Sequence, residues 1–220
     1  MSPAAEGHGA GRFRYGGVLL LTLAVAIFAL IAPEGRGVRT VELVAAGATL
    51  LVAVLTSRAP ATTRRVAGLA VTVVVVAAGI TAAVWGSHPA LTLAAIALLL
   101  AVTIGVILAG LVRLVIERGV VLQAVFAALA VYMLVGLTFG FLVGALATGF
   151  SRAYFASGTD ASQSARVYFS FTALTTTGFG DLTAATRAGR ALAVLEMLVG
   201  QLYLVTVIAM LVGNLRQQQR

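Results

Sequence analysis

Residues 164–186 read SARVYFSFTALTTTGFGDLTAAT. The first part, Ser164 to Thr175, is a moderately apolar stretch of helix length. It is too short to cross a bilayer, which takes about 20 mostly apolar residues. The remainder is rich in Thr and Gly. Lipid offers backbone polar groups no partners. A half-length helix followed by irregular backbone is therefore tolerated only inside protein or along a water-filled path. This stretch predicts a re-entrant loop, and with it a pore, wherever long apolar segments flank it.

They do. Working outward, the sequence holds six apolar runs: about Gly16–Ala32, Val38–Thr56, Val66–Trp85, Pro89–Leu111, Val120–Thr148 and Ala188–Leu215. The loop lies between the fifth and sixth. Breaks fall at Pro33-Glu34-Gly35, at Pro60 and at Gly86-Ser87-His88-Pro89, residues that stop helices. Composition agrees: 60% of the 220 residues are hydrophobic and only 10% charged, against about 25% charged in a soluble domain. The expected fold class is an all-α membrane protein of six transmembrane helices, with a re-entrant pore helix and filter between helices 5 and 6. No small-x-small cleavage site leads from the first run into a soluble domain, so that run reads as a span and not a signal.

The net charge of +8 does not point to nucleic acid, because the arginines sit between the apolar runs, where basic residues flank spans. With the N-terminus inside, nine arginines (12, 14, 58, 64, 65, 113, 118, 216 and 220) are cytoplasmic and six (36, 39, 152, 166, 187 and 190) external. The bias has the sign of the positive-inside rule, and an even number of spans puts both termini in the cytoplasm. The expected organisation is a cytoplasmic N-terminus (1–15), a four-helix membrane domain (16–113), a pore domain (119–215) and a short cytoplasmic tail (216–220). No ligand-sensing domain is expected after it. All fifteen basic residues are Arg, which with abundant Ala, Val and Gly suggests GC-rich coding and a bacterial inner membrane. Cys is absent, which excludes disulfides and thiolate chemistry.

A dehydrated cation needs oxygen ligands from all sides, and backbone carbonyls supply them without a trapping charge. Turning successive carbonyls inward requires unusual backbone angles, which Gly adopts at low cost. Gly178 and Gly180 alternate with Phe179 in this way, and Thr176 adds a hydroxyl. Thr175-Thr176-Thr177-Gly178-Phe179-Gly180-Asp181 resembles the filter motif of the tetrameric potassium channels, TTVGYGD in its best-known form. The resemblance extends over roughly Val120 to Leu215. It implies K+ sites at the carbonyls of Thr176, Thr177, Gly178 and Phe179 plus the Thr176 hydroxyl, with Gly180 closing the outer end. It further implies filter support from Thr175, Asp181 and Tyr168, a hinge at Gly200, and a cavity face of Gln201, Leu204 and Ile208. Two departures are Phe179 in place of Tyr and Thr177 in place of Val or Ile. The second makes a weakly selective cation channel the alternative function.

Glu196 is an acid inside a span, a functional candidate on that ground alone. It is expected to face the hydroxyls of Ser170, Thr172 and Thr175 as a brace behind the filter. Glu42 lies near a span end beside Arg39, which predicts a local ion pair. Gly136, Gly140 and Gly144 form a ridge for close helix packing. The six-span plan resembles that of voltage-gated channels, but Pro89–Leu111 has no charged residue, so strong voltage sensing is not expected. Expected partners are three further copies of the chain and the lipid bilayer, with no nucleic acid, no cofactor beyond permeant K+, and a regulatory partner unspecified. A transporter predicts repeated, interrupted helices in both halves, and residues 1–110 hold no counterpart of the filter segment. No nucleophile–base set, paired acid or metal-ligand cluster suggests an enzyme. An interaction subunit that conducts only with other pore chains is a further alternative.

Overall fold

The computed structural model describes residues 15–57, 65, 68–69, 89–149, 153–158 and 161–217, with backbone alone at 208 and 211–217. Among these residues the helices are α1 (Tyr15–Ile31), α2 (Arg36–Thr56), α3 (Pro89–Arg118), α4 (Leu122–Gly149), α5 (Gln163–Leu174) and α6 (Arg187–Gln217). Helices α2, α3, α4 and α6 are long and apolar enough to cross a membrane, and α1 is a shorter apolar helix of 17 residues. Large apolar side chains such as Leu20, Leu51, Leu55, Leu98 and Ile116 are exposed on them, as expected where the solvent is lipid. The expected bounds hold to within about two residues for four of the five apolar runs that fall on described helices. The exception is α3, which runs on through Arg113 to Arg118, because a helix need not stop where the hydrocarbon does. The expected third run, Val66–Trp85, lies almost entirely outside the described residues.

Contacts between helix ends fix the topology. The Tyr15 hydroxyl at the start of α1 donates to Ser57 Oγ just after α2, at 3.3 Å. Both side chains abut Gly110 near the end of α3. One end of the bundle thus holds the start of α1 and the ends of α2 and α3. At the opposite end Ala29, Glu34, Pro89, Thr148 and Gln163 line one cavity of about 250 Å³. Helices α2 and α3 therefore point the same way. Gly119, at φ +71°, turns α3 into α4, its N–H capping the Val115 carbonyl at 2.9 Å. This short link makes α3 and α4 neighbours within the chain, and theirs is the most extensive helix contact. Helix α1 also packs on α4 and on α5.

The glycine ridge of α4 is the bed of α5. A Cβ at Gly144 would meet Gln163 Oε1, at Gly140 the Val167 backbone, and at Gly136 the Phe171 ring. Residues 163, 167 and 171 recur every four positions and form one stripe of α5. The two stripes run antiparallel, and the absence of side chains on α4 lets the backbones approach. Elsewhere on α2, Arg39 and Glu42 line the same cavity and the Arg39 charge acts on the Glu42 carboxyl, but no direct hydrogen bond joins them. Arg39 Nε donates to the Gly35 carbonyl at 3.4 Å, and the buried Glu42 Oε2 has no partner.

Candidate ion filter and its support

Helix α5 starts at one end of the bundle and stops halfway down. Ser162 caps its N-terminus, accepting from the Ala165 N–H at 3.2 Å. Glu34, from the link between α1 and α2, accepts from the Gln163 N–H at 2.9 Å. A carboxylate at this position also suits the positive end of the helix dipole. Sequence reading passed over Glu34 because its partner lies 129 residues away. At the other end of α5, Leu174 lies against Gly200 in the middle of α6. The chain then returns: Ala156 N–H donates to the Thr183 carbonyl at 2.8 Å and Ala185 N–H to the Tyr154 carbonyl at 2.9 Å. This antiparallel bridge holds together the two ends of the segment containing α5 and residues 175–180. An edge-to-face cluster of Tyr154, Phe155 and Phe169, with centroids 5.1 to 6.4 Å apart, packs beneath it.

The return strand has alternating handedness. Thr176 has φ +56°, Gly178 +52° and Gly180 +81°, and the intervening Thr177 and Phe179 are not positive. In an ordinary strand successive carbonyls point to opposite sides. Alternating left-handed with right-handed residues brings them to one side, the same device that gathers successive N–H groups into an anion nest. Gly178 and Gly180 were expected to do this. Thr176 was not, because a β-branched residue in the left-handed region costs about 1–3 kcal/mol. Local bonds hold it there. Its N–H donates to Ala173 O at 2.9 Å, and its Oγ1 accepts from Gln201 Nε2 at 3.0 Å. Gln201, expected only to line a cavity, thus reaches the first residue of the strand.

The hydroxyls of Thr175 and Thr177 form a directed chain. Thr175 Oγ1 donates to the Phe171 carbonyl at 2.7 Å and lies 2.9 Å from Thr177 Oγ1. A hydroxyl has one proton, so Thr177 donates to Thr175. The unusual Thr177 is thereby tied to the end of α5. The last four carbonyls of α5 are all taken: Phe171 by Thr175, Thr172 by the N–H groups of Thr177 and Gly178, Ala173 by Thr176, and Leu174 by the Tyr132 hydroxyl at 3.4 Å. The helix end fixes the strand directly.

Tyr168 stacks on Phe179, with centroids 6.2 Å apart and planes 4° from parallel. Partial desolvation, then the charge and hydrogen bond of Asp181, push the Tyr168 hydroxyl above its ordinary pKa. Glu196 is fully buried and meets Ser170, whose Oγ also lies 2.6 Å from the Gly136 carbonyl. It does not reach Thr172 or Thr175, which bond to carbonyls of their own helix. At Gly200 a side chain would collide with the Leu174 carbonyl. Close packing thus accounts for this glycine, and α6 continues through it without a break. Leu204 is half-buried, and the Ile208 side chain lies outside the described residues. Residues 175–181 are all exposed in the single chain, Phe179 by 69%.

A family model described as an ion channel matches residues 120–217. No curated protein and no solved structure matches the chain. The matched region begins just before α4 and ends with α6, so it takes in both flanking helices and the half-length helix with its return strand. The match supports an ion-channel reading of residues 120–217, and the long apolar helices are consistent with a membrane setting.

Proposed function

We propose that the chain is one subunit of a homotetrameric, potassium-selective channel, with Thr176 to Gly180 as its filter. The observation that carries this is the alternating handedness of Thr176, Gly178 and Gly180. It supports carbonyls of residues 176–179 facing one side, where dehydrated K+ would bind. The bridge between residues 154–156 and 183–185 supports a re-entrant path. One strand is one wall of a carbonyl cage, so four copies close it. Helix α6 fits this arrangement: Val194, Leu198, Gln201, Leu202 and Val205 are exposed, and a polar Gln201 beside the strand suits a water-filled cavity better than lipid. K+ is the permeant ion, and both termini are cytoplasmic in a bacterial inner membrane.

Purified protein in liposomes tests this. Potassium efflux that outpaces sodium, from tetramers of this chain alone, is the expected result. Equal permeabilities in bi-ionic reversal potentials would refute potassium selectivity, and tetramers that pass no ion would leave the interaction-subunit reading.

The threonine chain bears on selectivity. Thr177→Val is expected to keep potassium selectivity but to cost about 0.5–1.5 kcal/mol per subunit of filter stability. Current should run down faster than wild type when external K+ is withdrawn. Thr175→Ala should be worse, because it removes both bonds of the chain. Unchanged run-down in both variants would show that the chain does not hold the strand.

Gating by voltage is not proposed. A charge crossing the field contributes about 2.3 kcal/mol per 100 mV, and residues 89–111 of α3 carry none. The expected conductance–voltage curve is shallow. A steep curve that flattens on neutralising charges in residues 16–113 would contradict this.

A further inference from the structure

Glu196 on α6, Ser170 on α5 and the Gly136 carbonyl on α4 form one line of contacts. We infer that Glu196 is held as a neutral carboxylic acid that donates its proton to Ser170, and so fastens the half-length helix to both of its flanking helices. The argument is a proton count. Ser170 Oγ has one proton and two acceptors to face: the Gly136 carbonyl oxygen at 2.6 Å and a carboxyl oxygen of Glu196. A carbonyl never donates, and an ionised carboxylate never donates. With Glu196 ionised, one of the two contacts would set lone pair against lone pair. With Glu196 protonated both are hydrogen bonds: Oε1–H to Ser170 Oγ, then Oγ–H to the Gly136 carbonyl.

The surroundings agree. Glu196 has no exposed surface, and its Oε2 has no partner. An anionic oxygen in that position would be far costlier than the carbonyl oxygen of an acid. Of the arginines on the same helix, the one nearest Glu196 in sequence is engaged elsewhere: Arg190 Nε donates to the Ala184 carbonyl at 3.1 Å. Tyr154, the titratable neighbour from the loop after α4, points its hydroxyl at the Gly189 carbonyl, at 3.5 Å. The burial of Glu196 is complete within one chain, so the proton is held whatever the assembly.

Glu196 is thus a positioning residue. It touches no proposed ion site, yet it fixes the height of α5, from whose last carbonyls the strand is hung. The inference uses the proposed channel only for its flux readout. The test compares the full chain with Glu196→Gln, Glu196→Leu and Ser170→Ala in lipid. An amide N–H can still donate to Ser170, whereas Leu cannot. The infrared difference spectrum between wild type and E196Q at neutral pH should show loss of a protonated-carboxyl band. E196Q should keep wild-type thermal stability and flux. E196L and S170A should yield about tenfold fewer conducting channels and melt earlier. A difference spectrum showing only carboxylate bands would overturn the inference, as would E196Q failing as E196L does. If wild type passes no potassium the channel proposal falls, while the infrared band and melting order still decide this one. If E196L does not fold, the band and E196Q still decide it.

Discussion

Replacing Gly178 with Ala is expected to abolish potassium-selective flux while leaving the chain inserted and assembled. Gly178 sits at φ +52°, and a Cβ there would meet nothing within 4 Å in the subunit. The penalty is therefore backbone alone, about 1–2 kcal/mol for an L-residue in the left-handed region. Four copies around one axis raise it to about 4–8 kcal/mol by the same figure. The cheapest escape is for φ to turn negative, which swings the peptide between Thr177 and Gly178. That takes the Thr177 carbonyl off the side it shares with its neighbours. Selective flux should fall about a thousandfold or more, at about 1.4 kcal/mol per decade, with tetramers unchanged by size. Thr176→Gly is the informative contrast. It relieves the strain at φ +56° but loses the hydroxyl and the Gln201 bond, so it should keep a strand of the right shape with a looser inner end. Wild-type selectivity in Gly178→Ala would show that alternating handedness does not make the filter.

How much of this was legible in the sequence follows from the range of the physics involved. The spans announced themselves because hydrocarbon imposes a length and forbids charge, and both can be read locally. The GFG at 178–180 was legible because only Gly enters the left-handed region freely. Thr176 was hidden for the same reason: it adopts that region against its own preference, held by Gln201 from another helix. The cap of α5 by Glu34 joins positions far apart in sequence, and no local pattern marks it. Glu196 could be singled out, because a carboxyl inside a span demands a partner, but which hydroxyl answers depends on how the helices lie. For Glu42 the nearby Arg39 marked the interacting charge, but whether the two groups meet in a direct hydrogen bond depends on side-chain paths that no local pattern fixes. The hinge expected at Gly200 came from its place relative to the filter. The Leu174 carbonyl against it could be found only in three dimensions.

The glycine ridge gives the second large effect, and an order of effects that packing alone predicts. At Gly140 a Cβ would lie 3.0 Å from Val167 Cα and 3.1 Å from its Cγ2. A backbone atom can yield only if α5 moves as a whole, and the Thr175 and Thr177 bonds would carry that shift to the strand. Gly140→Ala should cost about 1–3 kcal/mol per subunit, the usual penalty of overpacking. At Gly136 the Cβ would lie 2.8 Å from Phe171 Cζ, the tip of a ring that can tilt, so the cost should be smaller. At Gly144 it would meet Gln163 Oε1 at 2.6 Å, the far end of a flexible side chain held only by a long 3.5 Å bond from Arg166, so the cost should be smaller still. Gly105 on α3 has nothing within 4 Å. There Ala should be neutral, or stabilising by up to about 1 kcal/mol through helix propensity. Thermal melting of the four variants in lipid, with flux recorded alongside, should therefore rank Gly140→Ala lowest, then Gly136→Ala, Gly144→Ala and Gly105→Ala. Gly140→Ala melting with Gly105→Ala would mean that α5 does not rest on α4 through its backbone. The support assigned to the strand would then have to come from the side-chain bonds to α4, Tyr132 to the Leu174 carbonyl and Ser170 to the Gly136 carbonyl, and from α6 through Glu196 and the close approach at Gly200.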